Sequence, residues 1–312
     1  MAHSRIIGKV EQQARGILGP VRHVVLGLSG GADSVALLLV LKRLGVSVEA
    51  AHCNFHLRGV ESDRDMEFCR NLTRNLDIPL DIVHFDVPAY EAEHHVSTEV
   101  ACRELRYEYF RQKMEQTGAE RIAVAHHADD NIETMLLNLF RGCGIAGLRG
   151  MLPDANDIIR PLITTTRAEI LEYLEELGQD YIVDSTNLSS DYRRNFIRNE
   201  LLPMIETRWT GVRKAMTTTI ANLQSDEAVL RAIAEQELSR LSDPDTLPYR
   251  TLKEFPQPEW LLHRWLDRYG ARTNISHEIA AALRSGRPQT GKTWHTSSGT
   301  ILATCTALRF SK

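Results

Sequence analysis

Two clusters of residues could do chemistry, and they lie about a hundred residues apart. The first is Ser29-Gly30-Gly31-Ala32-Asp33-Ser34, which follows the apolar run His23-Val24-Val25-Leu26-Gly27-Leu28 and opens another from Val35 to Leu41. Strand, tight turn, then helix is the order that aims backbone N–H groups and a helix N-terminus at an anion. Adjacent glycines let the backbone approach a phosphate with no Cβ in the way. Ser29 and Ser34 add hydroxyls, and no Lys follows, so this is not the Lys-bearing P-loop of ATPases and GTPases. The plainer alternative is a Gly-rich turn whose Asp and Ser cap a helix. The second cluster is His126, His127, Asp129, Asp130 and Glu133. On a helix beginning near Asp129, Asp130 and Glu133 share a face. Acids in a first helical turn are favoured by the dipole alone, with Asp129 as N-cap. Beside a phosphate loop the same acids suit Mg2+, which takes one or two carboxylates on a nucleotide. Zinc on the paired histidines is the weaker alternative, because hard oxygen ligands outnumber them and no Cys is near.

The elements that must position these clusters alternate. Apolar β-rich runs at His23–Leu28, Val46–Cys53, Leu80–Val87 and Arg121–Ala125 are separated by helical patterns near Ser34–Leu44, Asp63–Leu76, Ser97–Thr117 and Asp129–Phe140. This alternation predicts an α/β fold, a doubly wound parallel sheet of about five strands with helices on both faces. Ligands in such folds sit beyond the C-terminal strand ends, where both clusters fall. Ile158–Leu162 reads as a last strand or an extended connector, Arg167–Leu177 as an amphipathic helix, and Asp184–Arg194 as a polar loop. Helical patterns return at Asn195–Trp209 and Val212–Leu241. Ser242–Pro248 is a breaker, short helices follow at Glu259–Tyr269 and Ser276–Leu283, and a hairpin pairs Trp294–His295 with Ile301–Phe310.

At 312 residues the chain accommodates two domains, with residues 1–210 expected as the catalytic body and 211–312 as a smaller, mainly helical domain. The abrupt end after the hairpin admits a further C-terminal domain. Net charge is −4, but residues 211–312 carry 14 Lys and Arg against 10 Asp and Glu. A basic appendage on an acidic body suits RNA held by its backbone, with chance as the bland alternative. The five cysteines are widely spaced without a C-x-x-C pair, which points to reduced thiols. The N-terminus lacks a signal-peptide core, and no apolar stretch nears the ~20 residues of a membrane span. A cytoplasmic protein without membrane partners is expected.

The loop SGGADS after a strand resembles the pyrophosphate loop of ATP pyrophosphatases, the PP-loop superfamily, which release PPi and activate an oxygen as its adenylate. Taken with Ser97 to Tyr107, Ala125 to Met151, Arg160-Pro161-Leu162, Asp184-Ser185-Thr186-Asn187 and Arg194-Asn195-Phe196-Ile197-Arg198, the chain resembles the bacterial tRNA(Ile)-lysidine synthetases. Order and spacing hold from about residue 20 to 205 and weaken beyond 211. The resemblance implies adenylation of the C2 oxygen of the wobble cytidine in a CAU-anticodon tRNA(Ile), then displacement of AMP by the ε-amine of L-lysine. It implies ATP and Mg2+ as cofactors, and a homodimer. Carried over residue by residue, Ser29, Gly30, Gly31, Ala32, Asp33 and Ser34 bind the ATP phosphates, His52 aligns with the nucleotide site, and Asp33 and Asp130 serve Mg2+. Arg106, His126 and Asp130 surround the cytidine, Glu133 holds metal or the lysine ammonium, and Arg141, Arg194 and Arg198 contact RNA phosphates. His126 or Asp130 is the candidate base. One departure stands out: where the family reads His-x-Asp/Asn-His-Gly-Leu-Arg, this chain has His52-Cys53-Asn54-Phe55-His56-Leu57-Arg58.

Rival readings are a tRNA thiolase, which calls for catalytic Cys pairs, a glutamine-using synthetase, which needs an amidase module, and a non-catalytic RNA-binding relative. Gly286-Arg287-Pro288-Gln289-Thr290-Gly291-Lys292-Thr293 satisfies the Walker A pattern, but a helix precedes it and a strand follows, the reverse of the order a phosphate loop needs.

Overall fold

The computed structural model of the chain describes residues 5–183, 192–271, 273–286 and 288–312; Asp184-Ser185-Thr186-Asn187 and Arg287 lie outside the described residues. The chain divides into two compact units, Met1–Gln224 and Ser225–Lys312.

In the first unit the order is α1 (Arg5–Leu18), β1 (His23–Gly27), α2 (Ala32–Arg43), β2 (Ser47–Asn54), α3 (Val60–Asn75), β3 (Leu80–His84), α4 (Val87–His94) and α5 (Thr98–Thr117). Then come β4 (Arg121–Ala123), α6 (Ala128–Arg141), α7 (Ile145–Leu148), β5 (Asp154–Ala155), β6 (Ile158–Ile159) and α8 (Arg167–Glu176). The sheet order is β3-β2-β1-β4-β6-β5, parallel except for the two-residue edge β5. Strand β1 alternates its faces. Val24 and Leu26 join the cluster built with α1, α2 and α8, while Val25 joins Tyr107 and Phe110 of α5. Helix α2 is buried from Ala32 to Leu41 apart from Asp33, as expected of a helix that is apolar all round. Gly27 is required where α5 crosses β1, because a Cβ there would stand 2.7 Å from the Phe110 ring. The chain winds outward from β1 to β3, then returns across the sheet to β4 on the other side of β1. The gap between the ends of β1 and β4 is therefore the topological switch point, where such sheets bind ligands.

Several local expectations shift. The run Leu80–Val87 stops at His84, because Asp86 caps a new helix by accepting from Ala89 N (3.0 Å) with Pro88 in its first turn. The Asn195–Trp209 helix is broken into α9 (Tyr192–Phe196), a π-helical turn (Ile197–Leu201) and α10 (Leu202–Glu206). Helix α11 (Val212–Leu238) carries the chain from one unit into the other, so the division falls later than the 210/211 boundary expected. Its first turns belong with the first unit. Arg213 pairs with Asp129 and Glu206, Ile220 is buried with Ile132 and Ile197, and Gln224 donates to the carbonyls of Arg149 and Met151.

The second unit packs α12 (Tyr249–Glu254), α13 (Pro258–Asp267) and α14 (Thr273–Arg284) with a four-stranded antiparallel sheet ordered β7-β10-β9-β8. The strands are β7 (Thr246–Pro248), β8 (Thr293–His295), β9 (Thr300–Ala303) and β10 (Ala307–Ser311). The expected two-stranded hairpin is β8 with β9, and two further strands extend the sheet beyond β9. Ile301–Phe310 folds back on itself at Cys305-Thr306, and part of the Ser242–Pro248 breaker is the edge strand β7. Trp265 fills the core and donates its indole N–H to the Pro244 carbonyl (2.9 Å), which anchors that breaker.

Candidate active site

The loop after β1 closes on its own hydroxyls. Ser34 Oγ accepts from Ser29 N (3.2 Å) and donates to the Gly31 carbonyl (3.0 Å), and the Ser29 and Ser34 hydroxyls meet at 3.1 Å. Gly30 sits at φ +87°, and a Cβ there would meet Ile182 Cδ1 at 2.6 Å and Cys69 Sγ at 3.2 Å. Ile182 belongs to the segment after α8, whose N–H donates to the Gly30 carbonyl (2.9 Å). Among the described residues no side chain caps the N-terminus of α2, which leaves its dipole aimed out of the loop.

A pocket of about 400 Å3 opens over this loop and brings His52, Phe55, Arg58, Arg106 and His126 to it. His52 is buried and its Nδ1 lies 2.9 Å from the Leu28 carbonyl, so that nitrogen donates and Nε2 is left as an acceptor. Burial holds its pKa below the usual histidine value. Arg106 lies over the Phe55 ring, 5.4 Å from its centroid. The displaced His56 does not line the pocket; it stacks on His84, with Nε2 2.8 Å from His84 Nδ1. Phe55, in the place of the family's histidine, therefore supplies an aromatic face for Arg106. His126 accepts at Nδ1 from Arg160 Nε (3.3 Å), and burial, opposed by the Asp130 charge, pulls its pKa down to about 4.

The acids of α6 adjoin this pocket. His127, rather than Asp129, is the N-cap: its Nδ1 accepts from Asp130 N, and Asp130 accepts in return from His127 N (3.1 Å). The buried His127 Nε2 then stands 3.8 Å from Asp33 Oδ1 and 3.4 Å from Asp130 Oδ2. The two expected metal ligands thus meet at one imidazole. Asp33 also pairs with Arg167 at the start of α8, and Asp129 accepts from Arg167 N (2.8 Å).

Glu133 was expected to hold metal or lysine, yet it is fully buried. Both of its oxygens accept from Arg198 (2.6 and 2.9 Å), with Arg194 at 3.6 Å. Burial raises its pKa, against the pull of Arg198. Arg198 also reaches Asp130 Oδ1 (3.1 Å) from the π-helical turn. Arg194 and Arg198, expected on RNA phosphates, are thus engaged with α6 acids, while Arg141 is exposed at the end of that helix. The sequence places His127 and Asp129 in the second reactive cluster and Arg160 in a motif of the family resemblance, each without an assigned catalytic role, and carries no signal for Arg167.

Among the described residues no three His, Cys, Asp or Glu are grouped to hold a metal. Two carboxylates beside a phosphate loop nonetheless match the way Mg2+ binds on a nucleotide, through one or two protein oxygens and the phosphates. The donor set fits. Cys53 lines the pocket, but burial pushes its thiol up to about 12, as it does for Cys69.

A strand–loop–helix turn at the switch point of a parallel sheet is an arrangement shared by several classes of nucleotide-binding domain, and residues 5–205 match the family described as the PP-loop domain. The fold is shared with the U34-tRNA thiolase NcsA from Methanococcus maripaludis, with a TM-score of 0.58 at 18% identity over 70% of this chain and 79% of that one. In sequence the chain is similar to the tRNA(Ile)-lysidine synthase of Parabacteroides distasonis, 44% identical over 92% of this chain and 65% of the relative. It is 40% identical to that of Bacteroides thetaiotaomicron over 94% and 69%, and 45% identical to that of Porphyromonas gingivalis over 84% and 58%. The chain belongs to the tRNA(Ile)-lysidine synthase family. It spans roughly two thirds of the length of these relatives.

Proposed function

We propose that the protein ligates L-lysine to C2 of the wobble cytidine of CAU-anticodon tRNA(Ile), consuming ATP and releasing AMP and PPi. The observation that carries this reading is the convergence of the Ser29–Ser34 loop, His52, Arg106 and His126 on one pocket in a chain of this family. A cytosine carbonyl oxygen is a poor leaving group, and as an adenylate it departs with AMP. The loop hydroxyls and the α2 N-terminus hold the phosphates. Mg2+, where bound, neutralises phosphate charge, with Asp33 and Asp130 as its protein ligands. His52 Nε2 offers an acceptor to the nucleotide. Arg106, pinned on Phe55, stabilises negative charge on the adenylate.

Attack needs a neutral amine, and bringing lysine from its reference pKa of ~10.4 to that form at pH 7 costs about 4–5 kcal/mol. Desolvation offsets part of that cost, and positioning supplies another ~7–11 kcal/mol. Glu133 acts through Arg198, holding it against Asp130. The exposed Arg141 faces the RNA backbone. The reaction is read as cytoplasmic, carried out by a homodimer. The thiolase alternative is disfavoured by the cysteines, since a pocket thiol with a pKa of about 12 is not a thiolate at neutral pH.

The test is a reaction of unmodified CAU-anticodon tRNA with labelled ATP and labelled lysine. Lysine on the RNA with stoichiometric AMP and PPi, lost when the wobble C is replaced by U, is the expected result. AMP and PPi without bound lysine would replace ligation by another adenylation chemistry.

A further inference from the structure

Both histidines that follow β4 use Nδ1 as an acceptor. Asp130 N donates to His127 Nδ1 (3.4 Å), and Arg160 Nε donates to His126 Nδ1 (3.3 Å). A guanidinium has five donors and no acceptor, so the His126 nitrogen that faces it carries no proton. A neutral imidazole with Nδ1 bare is protonated at Nε2. Arg160 is itself held in place. Its Nη1 donates to the Leu152 carbonyl (2.9 Å), its backbone N–H to the Pro153 carbonyl (2.7 Å), and its carbonyl accepts from Ile163 N (3.1 Å). His126 is neutral at pH 7, because burial outweighs the Asp130 charge and Arg160, Arg194 and Arg103 add to the same side. Among the described residues no protein group bonds His126 Nε2, and the ring lines the pocket.

We propose that Arg160 is a positioning residue that locks His126 in the Nε2–H tautomer, so that His126 serves the reaction as a hydrogen-bond donor and not as the base. This role rests on the lysine-ligation reading above. In the transfer step the neutral ε-amine attacks C2, the C2–N bond forms and the C2–O bond breaks, and the electron pair departs on the AMP phosphate oxygen. The surplus amine proton leaves to water in the open pocket. Negative charge grows on the departing oxygen, and a fixed N–H aimed into the pocket stabilises that charge without reorganising. The same lock removes the lone pair a base would need, because the only bare nitrogen of His126 is occupied by Arg160.

The experiment reads the ring nitrogens of His126 by 15N NMR on the full chain labelled at histidine, with the signal identified by its loss in His126→Gln. The expected wild-type pattern is a protonated Nε2 and an unprotonated Nδ1, shifting toward an average of the two tautomers in Arg160→Met. A wild-type Nδ1–H or averaged pattern overturns the lock. Single-turnover lysine transfer from preformed adenylate reads the role. His126→Gln keeps an N–H donor but takes no proton, so it should retain the rate within about tenfold, whereas His126→Ala should lose about 10²–10³-fold. Equal losses in the two variants overturn the donor role. Should Arg160→Met fail to fold, the wild-type spectrum alone decides the tautomer. A wild-type chain with the expected tautomer but no lysine transfer overturns the ligation reading and leaves the lock standing.

Discussion

Two glycine-rich segments of this chain promise a phosphate site, and only one has the surroundings for it. Ser29–Ser34 runs from a parallel strand into a buried helix whose N-terminus no side chain among the described residues caps. Gly286–Thr293 fits the Walker A letters but runs from α14 into the antiparallel strand β8. There Gly291 N donates to the Ala303 carbonyl (2.8 Å) and Lys292 N to the Gln289 carbonyl (3.0 Å). The Lys292 ammonium pairs with Glu278 and lies 5.0 Å from the Trp294 ring centroid. Donors spent on a sheet edge and an ammonium already paired are not offered to an anion. A phosphate loop is therefore defined by the elements that flank it, not by its letters.

The contrast breaks most sharply at Gly30. Gly30→Val places a branched side chain at φ +87° against Ile182 and Cys69. ATP-dependent AMP formation should fall at least about 10³-fold, or about 4 kcal/mol. Residual AMP formation near wild type, measured with saturating tRNA, would mean that the nucleotide sits elsewhere.

The acids beside the loop come next. Arg198→Met leaves the buried Glu133 carboxylate without its main partner. The half-exposed arginine discounts the usual penalty for breaking a buried pair to about 3 kcal/mol of folding stability. Adding Glu133→Gln should recover much of it in a urea titration. No recovery would show that Arg198 stabilises the fold by some route other than Glu133.

His126 tests the buried side of the comparison by pH. Its folded pKa, about 4, lies below the unfolded value. As pH falls from 6.5 toward 4 the unfolded chain takes up a proton that the folded chain refuses, so stability present above 6.5 is lost over that window. The loss should reach about 3 kcal/mol and disappear in His126→Gln, as judged by the urea midpoint of both proteins across the range. The smallest effect belongs to the decoy. Lys292→Ala removes a surface pair worth less than about 1 kcal/mol and should leave the KM for ATP unchanged. A large rise in that KM would revive Gly286–Thr293 as a nucleotide site.

The sequence by itself determined the elements whose signals are local. The apolar run from His23 to Leu28, the Gly-Gly turn and the apolar run after it specify β1, the loop and α2, because a buried strand and a helix's dipole are properties of a few consecutive residues. The two reactive clusters were legible for the same reason. Where competing local signals overlapped, as at Asp86-Val87-Pro88, the cap prevailed over the strand pattern. The Ile301–Phe310 run reversed at Cys305-Thr306, because the new edge pairs with Thr246–Pro248, far away in sequence. Only the tertiary structure decided which arginine meets which acid. Arg167 reaches Asp33, Arg198 reaches Glu133, and Arg160 sets the face that His126 turns to the pocket. Those contacts depend on β1 and β4 being neighbours and on where the chain returns after β6. Pairing of that kind follows from the order of strands in the sheet, which no periodicity along the chain records.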